Sequence, residues 1–202
     1  AISSSTSKPL EIYSDVIPDK AFYHCERLQA VTLRSDVTYL GNEAFRGCIN
    51  LTRVLFEGDC EQFGSYAFAD CTGLKNMTLP SCRIVFGDVV YANSGLNRLI
   101  FRSNTVITET GVGVFFGLTN LTFAQGQSNL DYSNGILYGD AEHTSIVFVS
   151  PSAVLGDFVL PDSVKTIADS AFSGNSTLTS FTVTANSQLK KIGYGAFSYC
   201  AN

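Results

Sequence analysis

One pattern returns along almost the whole chain. "AFYHCERLQAVTL" begins at Ala21, "AFRGCINLTRVLF" at Ala44 and "AFADCTGLKNMTL" at Ala67. Weaker copies follow as "VVYANSGLNRLIF" from Val89 and "GVGVFFGLTNLTF" from Gly111. The pattern returns as "AFSGNSTLTSFTV" from Ala171 and starts again as "AFSYCAN" from Ala196. The first five starts are 23, 23, 22 and 22 residues apart. A second element precedes the copies, in "VTYLGNEAF", "CEQFGSYAF", "VKTIADSAF" and "LKKIGYGAF". The whole unit reads V-x-x-I-G-x-x-A-F-x-x-C-x-x-L-x-x-V-x-L. A single unit has an apolar edge that it cannot bury alone, so its copies must stack into one continuous core.

A period in the twenties with leucine-like positions predicts a leucine-rich solenoid. Its L-x-x-L-x-L segments form strands stacked in parallel, about 4.8 Å apart, so each inward position becomes a ladder of like residues. Composition permits such a core: 45% of the 202 residues are hydrophobic and 15% are charged. A net charge of −5 and an isoelectric point near 4.9 argue against nucleic acid as a partner. No run approaches 18 apolar residues, so no membrane insertion is expected in this segment. The start at "AISSSTSKPL", without Met, is expected to be a processed or trimmed end.

The recurrent "AF..C..L" together with "IG..AF" resembles the BspA-like class of leucine-rich repeats, over about Ser14 to Asn202. "NGILYGDAEHTSIVFVSPS" is similar to the hairpin-containing insert of that class, with "GILY" and "SIVFV" as strands joined by the polar "GDAEHT" turn. The expected organisation is an N-terminal extension over 1–13 and one repeat domain over 14–202, with the irregular insert at about 124–160. The expected fold is a leucine-rich repeat solenoid, α/β in class but rich in β. It would be a right-handed curved stack of about eight units, with a parallel sheet on the concave side and short turns or 3₁₀ pieces on the convex side. The last copy breaks off before its Leu, so the array is expected to continue, and an uncapped end would invite end-to-end association.

The cysteines raise the question of chemistry. Cys25, Cys48, Cys71 and Cys200 share one repeat position, which Asn93, Phe115 and Asn175 fill in other copies. A position that accepts Cys, Asn or Phe is an inward structural slot before the strand, with no role in thiol chemistry. Metal binding would need converging ligands such as close CxxC pairs, and none occurs. Cys60 and Cys82 form a second pair of ladder neighbours. Their spacing suits a disulfide, but parallel in-register side chains are poorly aimed for one, so packed thiols are expected and the bridge is the alternative.

No catalytic residue is assigned and no cofactor is implied. His24 and His143 are the two histidines, and His24 beside Cys25 in a tight turn cannot easily aim at it. Asp131, Asp140 and Glu142 lack the D-x-D-x-D-G calcium pattern and read as a solvated turn. Nucleotide-binding, hydrolase and metalloprotease motifs are missing.

A partner surface is legible in the x positions of L-x-x-L-x-L. Arg34, Arg53, Lys75, Arg98 and Arg102 place five of the chain's thirteen basic residues on that concave face, against the single acid Glu57. Leu55 and Ile100 add apolar anchors. A basic stripe on an acidic protein steers an anionic partner; the competing reading is that exposed strand positions simply tolerate Arg and Thr. Sequons at Asn50, Asn76, Asn120 and Asn175 are candidate glycosylation sites, and glycans on Asn76 and Asn120 would cover the face. The resemblance implies an extracellular, cell-surface adhesin that recognises a protein ligand, such as a host extracellular-matrix protein (fibronectin or fibrinogen) or another surface protein. The alternatives are a passive structural spacer in a surface protein and a targeting module attached to an enzyme elsewhere in a longer chain.

Overall fold

The computed structural model describes residues 8–125 and 130–200. Residues 1–7 of the expected N-terminal extension, 126–129 of the expected insert and the last two residues lie outside them. Each regular coil has three hydrogen-bonded sides. The first side is the L-x-x-L-x-L ladder, formed by β1 (Leu10–Ile12), β3 (Ala30–Leu33), β5 (Arg53–Phe56), β7 (Asn76–Thr78), β9 (Arg98–Phe101) and β11 (Thr122–Gln125). These make two parallel three-stranded sheets, β1-β3-β5 and β7-β9-β11. The stack therefore reaches back to Leu10, which pairs with Val31, inside the stretch set apart from sequence as an extension. Only apolar Leu10 and Ile12 mark that strand in the sequence, and no copy of "AF..C" precedes it.

The second side is a ladder of shorter strands: β2 (Val16–Ile17), β4 (Tyr39–Leu40), β6 (Gln62–Phe63), β8 (Arg83–Phe86) and β10 (Val106–Thr110), all parallel in one five-stranded sheet. Of the expected short turns or 3₁₀ pieces, turns are present and this sheet is an addition; neither helix nor 3₁₀ turn occurs among the described residues. A Gly after β4, β6, β8 and β10 lets the coils touch. A Cβ on Gly64 would lie 2.6 Å from Asn42 N, and Gly41, Gly87, Gly111 and Gly193 meet backbone atoms of the preceding coil in the same way. The residue after that Gly joins adjacent coils: Asn42 N donates to Asp19 Oδ1 (2.7 Å), Ser65 N to Asn42 Oδ1 (2.8 Å) and Asp88 N to Ser65 Oγ (3.1 Å).

The third side is a column of stacked turns carrying the A-F pair. Phe45 N donates to Ala67 O and Phe68 N to Val90 O, each at 2.9 Å. Inside this column the rings of Phe22, Phe45, Phe68, Tyr91 and Phe115 stack face to face, with centroids 5.1, 5.3, 5.8 and 5.7 Å apart and planes within 7° of parallel. Phe45, Phe68 and Tyr91 are wholly buried. Each contributes roughly 1.5–3 kcal/mol from burial alone.

The stack corrects the sequence alignment of two copies. Tyr91 stacks on Phe68, so the fourth copy begins at Val90 and its inward slot holds Ser94, with Asn93 exposed beside it. Phe115 is a rung of the aromatic column, and the slot is taken by Leu118, whose N donates to Phe115 O as Cys48 N does to Phe45 O. Adjacent Phe115 and Phe116 look interchangeable in the sequence; ring stacking selects the first and leaves Phe116 half exposed.

The insert contains β12 (Asp131–Ser133), β13 (Ile136–Tyr138) and β14 (Ser145–Val149), antiparallel to one another. Asn134 and Gly135, both at positive φ, make the tight turn between β12 and β13. His143 closes the β13–β14 turn: its Nε2 lies 2.6 Å from Asp131 Oδ2 and its ring stacks on Tyr138 at 3.7 Å. Beyond it β14 resumes the second ladder, pairing in parallel with β16 (Thr166–Ile167) and through it β18 (Lys191–Ile192), while β15 (Gly156–Val159) pairs with β17 (Leu178–Thr182). Val147 and Phe148 of β14 pack into the core of the preceding coils, and Ile146 and Val149 into the core that follows.

Candidate binding face

On the outward side of the first ladder two columns run across the strands. Ala30 is the register partner of Arg53, and Asn76, Arg98 and Thr122 occupy that position in the following coils. Beside it run Thr32 and Leu55, then Thr78, Ile100 and Ala124. Asn120, from the column assigned by sequence, falls instead in the bend before β11, because the fifth copy reaches its strand two residues later, at Thr122.

The five bases differ in what they do. Arg34 is held by Glu57 at 3.0 Å and lies over the Tyr13 ring at 5.3 Å. Lys75 donates to its own turn, Nζ to Thr72 O at 2.8 Å. Arg102 reaches the Phe56 carbonyl at 3.4 Å. Arg53 and Arg98 alone have no side-chain partner among the described residues, and both are exposed. They bracket Asn76 in one column, with exposed Leu55 and half-buried Ile100 in the next.

The Arg102 contact has a local cause. Arg34 N donates to Ile12 O (3.0 Å) and Glu57 N to Leu33 O (2.9 Å). The next rung would run from residue 80 to Phe56 O, but Pro80 has no N–H. No hydrogen bond joins β5 to β7 among the described residues, and the ladder divides there. The Arg102 guanidinium supplies the missing donor. The open seam is a slot of about 460 Å³ lined by Thr52, Arg53, Leu55, Asn76, Thr78 and Arg102, together with Val54 and Met77.

The inward slot holds hydrogen-bonded thiols. Cys48 Sγ donates to Phe22 O and Cys71 Sγ to Phe45 O, both at 3.0 Å, and Cys200 Sγ to Phe172 O at 3.2 Å. Cys25 is exposed. Burial pushes the Cys48 thiol up to about 11 and Cys60 to about 12, and moves Cys71 further the same way. Such thiols stay protonated and unreactive near neutrality. Cys60 and Cys82 are free, with Cys82 Sγ 3.5 Å from Cys60 O. Of the acidic trio, Asp131 receives His143 and Asp140 Oδ1 accepts from Thr144 N at 2.8 Å, while Glu142 is exposed. No group of three or more His, Cys, Asp or Glu able to hold a metal occurs among the described residues.

The sequons separate sharply. Asn76 and Asn120 are exposed; Asn50 is exposed but donates to Glu26 O at 2.8 Å. Asn175 is fully buried. Its amide donates to Ser150 O and Ala153 O and accepts from the backbone N of Thr177 and Leu178, so no glycan can be attached there without unfolding. Sequence reasoning missed the Pro80 seam. It also missed an apolar notch of about 180 Å³ among Gly113, Phe116, Leu118, Phe148, Pro151 and Tyr199, which exists because the insert breaks the period.

Against known families, the sequence profile described as the BspA-type leucine-rich repeat region matches six copies, over residues 15–139 and 147–202. The chain belongs to the BspA-type leucine-rich repeat family. Three solved structures agree in fold. A leucine-rich repeat protein from Eubacterium ventriosum superposes with a TM-score of 0.72 at 22% identity, covering 93% of this chain and 50% of that one. The T. pallidum leucine-rich repeat protein gives 0.54 at 23% identity, covering 98% and 72%. The pneumococcal vaccine antigen PcpA gives 0.50 at 22%, covering 91% and 40%. The chain thus spans half the length of the Eubacterium ventriosum protein. A comparison with curated proteins found no match.

Proposed function

We propose that this BspA-type array is a non-enzymatic, extracellular recognition module of a cell-surface protein, binding an acidic protein partner on the face of its first ladder. The observation that carries the reading is the pair Arg53 and Arg98. Both are exposed and unpaired in one column of a protein with net charge −5, beside exposed Leu55. An unpaired guanidinium on a rigid strand offers a carboxylate two parallel hydrogen bonds at little conformational cost. Leu55 and Ile100 add apolar contact next to the charges, the arrangement of an anchor with a polar rim. Host extracellular-matrix proteins are the first partners to screen, following the family resemblance.

The spacer reading draws on a different observation: Arg34, Lys75 and Arg102 serve contacts within the array. Titration of immobilised fibronectin and fibrinogen with the wild-type chain and with Arg53→Glu/Arg98→Glu separates the two. Recognition requires saturable binding that falls at least tenfold in the double variant and weakens with salt. Inert binding for both proteins, on these and other acidic surface proteins, supports the spacer.

A further inference from the structure

We infer that the Pro80 seam is a carboxylate slot that anchors an acidic peptide segment of the partner. The inference rests on the binding-face reading and names its anchoring site. The slot combines features that occur together nowhere else on the first ladder. Donors converge on it from three coils: the Arg53 guanidinium from one, the Asn76 amide and Thr78 hydroxyl from the next, and Arg102 from the third, while the Thr52 hydroxyl at its rim donates to Gln29 O. No acidic side chain lines it. The main-chain edges of β5 and β7 face it without the rungs that join every other regular neighbour in the ladder.

Arg102 spends one of its five N–H groups on Phe56 O and keeps the others. Planar forks of N–H groups at both ends suit a planar carboxylate. About 460 Å³ takes an Asp or Glu side chain with its flanking backbone, and Leu55 offers contact to an apolar neighbour. A polysulfated glycan is the poorer occupant, because its charge needs a long run of bases and only Arg53 and Arg98 are unpaired here.

The test is NMR titration of the ¹⁵N-labelled chain with acetyl-Glu-Glu-Leu-Glu-Glu-amide, its all-Lys counterpart and a heparin hexasaccharide. Expected are amide shifts confined to residues 52–56, 76–79 and 102 with the Glu peptide, and none with the Lys peptide. Pro80→Val, which restores the N–H, weakens binding at least tenfold. Arg102→Gln, which leaves the backbone unchanged, weakens it three- to tenfold, and thermal melting confirms that both variants fold. Glu-peptide shifts spread evenly over the ladder, wild-type affinity in both variants, or tighter binding of heparin at the same residues would overturn the slot. If those two variants bind normally while Arg53→Glu/Arg98→Glu does not, the slot falls and the binding face stands. Normal binding by all three removes both.

Discussion

Arg102 Nη1 lies 3.4 Å from the carbonyl oxygen of Phe56, two coils back in the stack and across the level of Pro80. Among the described residues, whose other hydrogen bonds join a coil only to itself or its neighbours, this one side chain spans three. The contact is long for a hydrogen bond, but it is charge-assisted and serves a carbonyl whose regular donor is chemically impossible.

Arg102→Ala should therefore cost more than a surface substitution. Leaving a carbonyl of the ladder unpaired costs about 1–2 kcal/mol. In a Pro80→Val background, where the backbone donor is restored, the same substitution should cost less than about 0.5 kcal/mol. Urea midpoints of the four proteins give this double-mutant cycle; equal costs in both backgrounds would show that Arg102 does not replace the missing rung.

The aromatic column should dominate stability. Phe68 is wholly buried between the rings of Phe45 and Tyr91. Phe68→Ala should destabilise by about 3–5 kcal/mol and Phe68→Leu by clearly less, since Leu retains most of the volume. Phe116→Ala, one residue from the column and half exposed, should stay within about 1 kcal/mol. Comparable losses at 68 and 116 would place the wrong ring in the stack.

Thiol reactivity should follow burial. Iodoacetamide at pH 7.5 should label Cys25 first, the exposed one, and leave Cys48, Cys60 and Cys71 unmodified until the chain unfolds. Rapid labelling of Cys48 in the native state, read by peptide mass spectrometry, would contradict the slot geometry.

The same burial makes the fold sensitive to alkali. Cys48, Cys60 and Cys82 titrate near 11, 12 and 11 in the folded chain, against an ordinary 9.0. The folded state holds these protons more tightly than the unfolded one. Their contribution is complete below about pH 9 and is lost as pH rises from there through 11 to 12. Melting temperature should fall across that window, with Tyr91, also raised by burial, adding to the fall. Cys60→Ala should flatten the slope relative to wild type; an unchanged slope would mean that the thiol is solvated.

Asn175 should remain free of glycan in a eukaryotic secretory host while exposed Asn120 becomes occupied. Asn175→Ala should cost about 2–3 kcal/mol, because it strands the N–H groups of Thr177 and Leu178 and removes one of two donors from each of Ser150 O and Ala153 O. Glycopeptide mapping and thermal melting check the two halves separately.

These cases also mark what the sequence could reveal. Repeat spacing and inward apolar residues sufficed for the stacked coils, and "GILY" with "SIVFV" for the hairpin, because periodicity and turn chemistry are local. Register in the fourth and fifth copies was hidden: a start at Val89 or Val90, and Phe115 in the Cys slot or in the aromatic column, are told apart only by Tyr91 stacking on Phe68 and Phe115 on Tyr91. The second ladder was hidden for another reason: strands as short as Tyr39–Leu40 carry no alternation to read. Pro80 stood in plain view, but its effect requires knowing that its nitrogen falls opposite Phe56 O. The division of five bases into two unpaired and three engaged likewise depends on distances that no spacing encodes.

Native-state hydrogen exchange tests the stacked ladder and its single break together. Amides of β3, β5 and β9 that bond a neighbouring coil should exchange slowly, whereas those of β5 and β7 that face the seam should exchange fast within an otherwise protected sheet. Pro80→Val should slow them. Uniform protection across β5 and β7 in the wild-type chain would contradict the account.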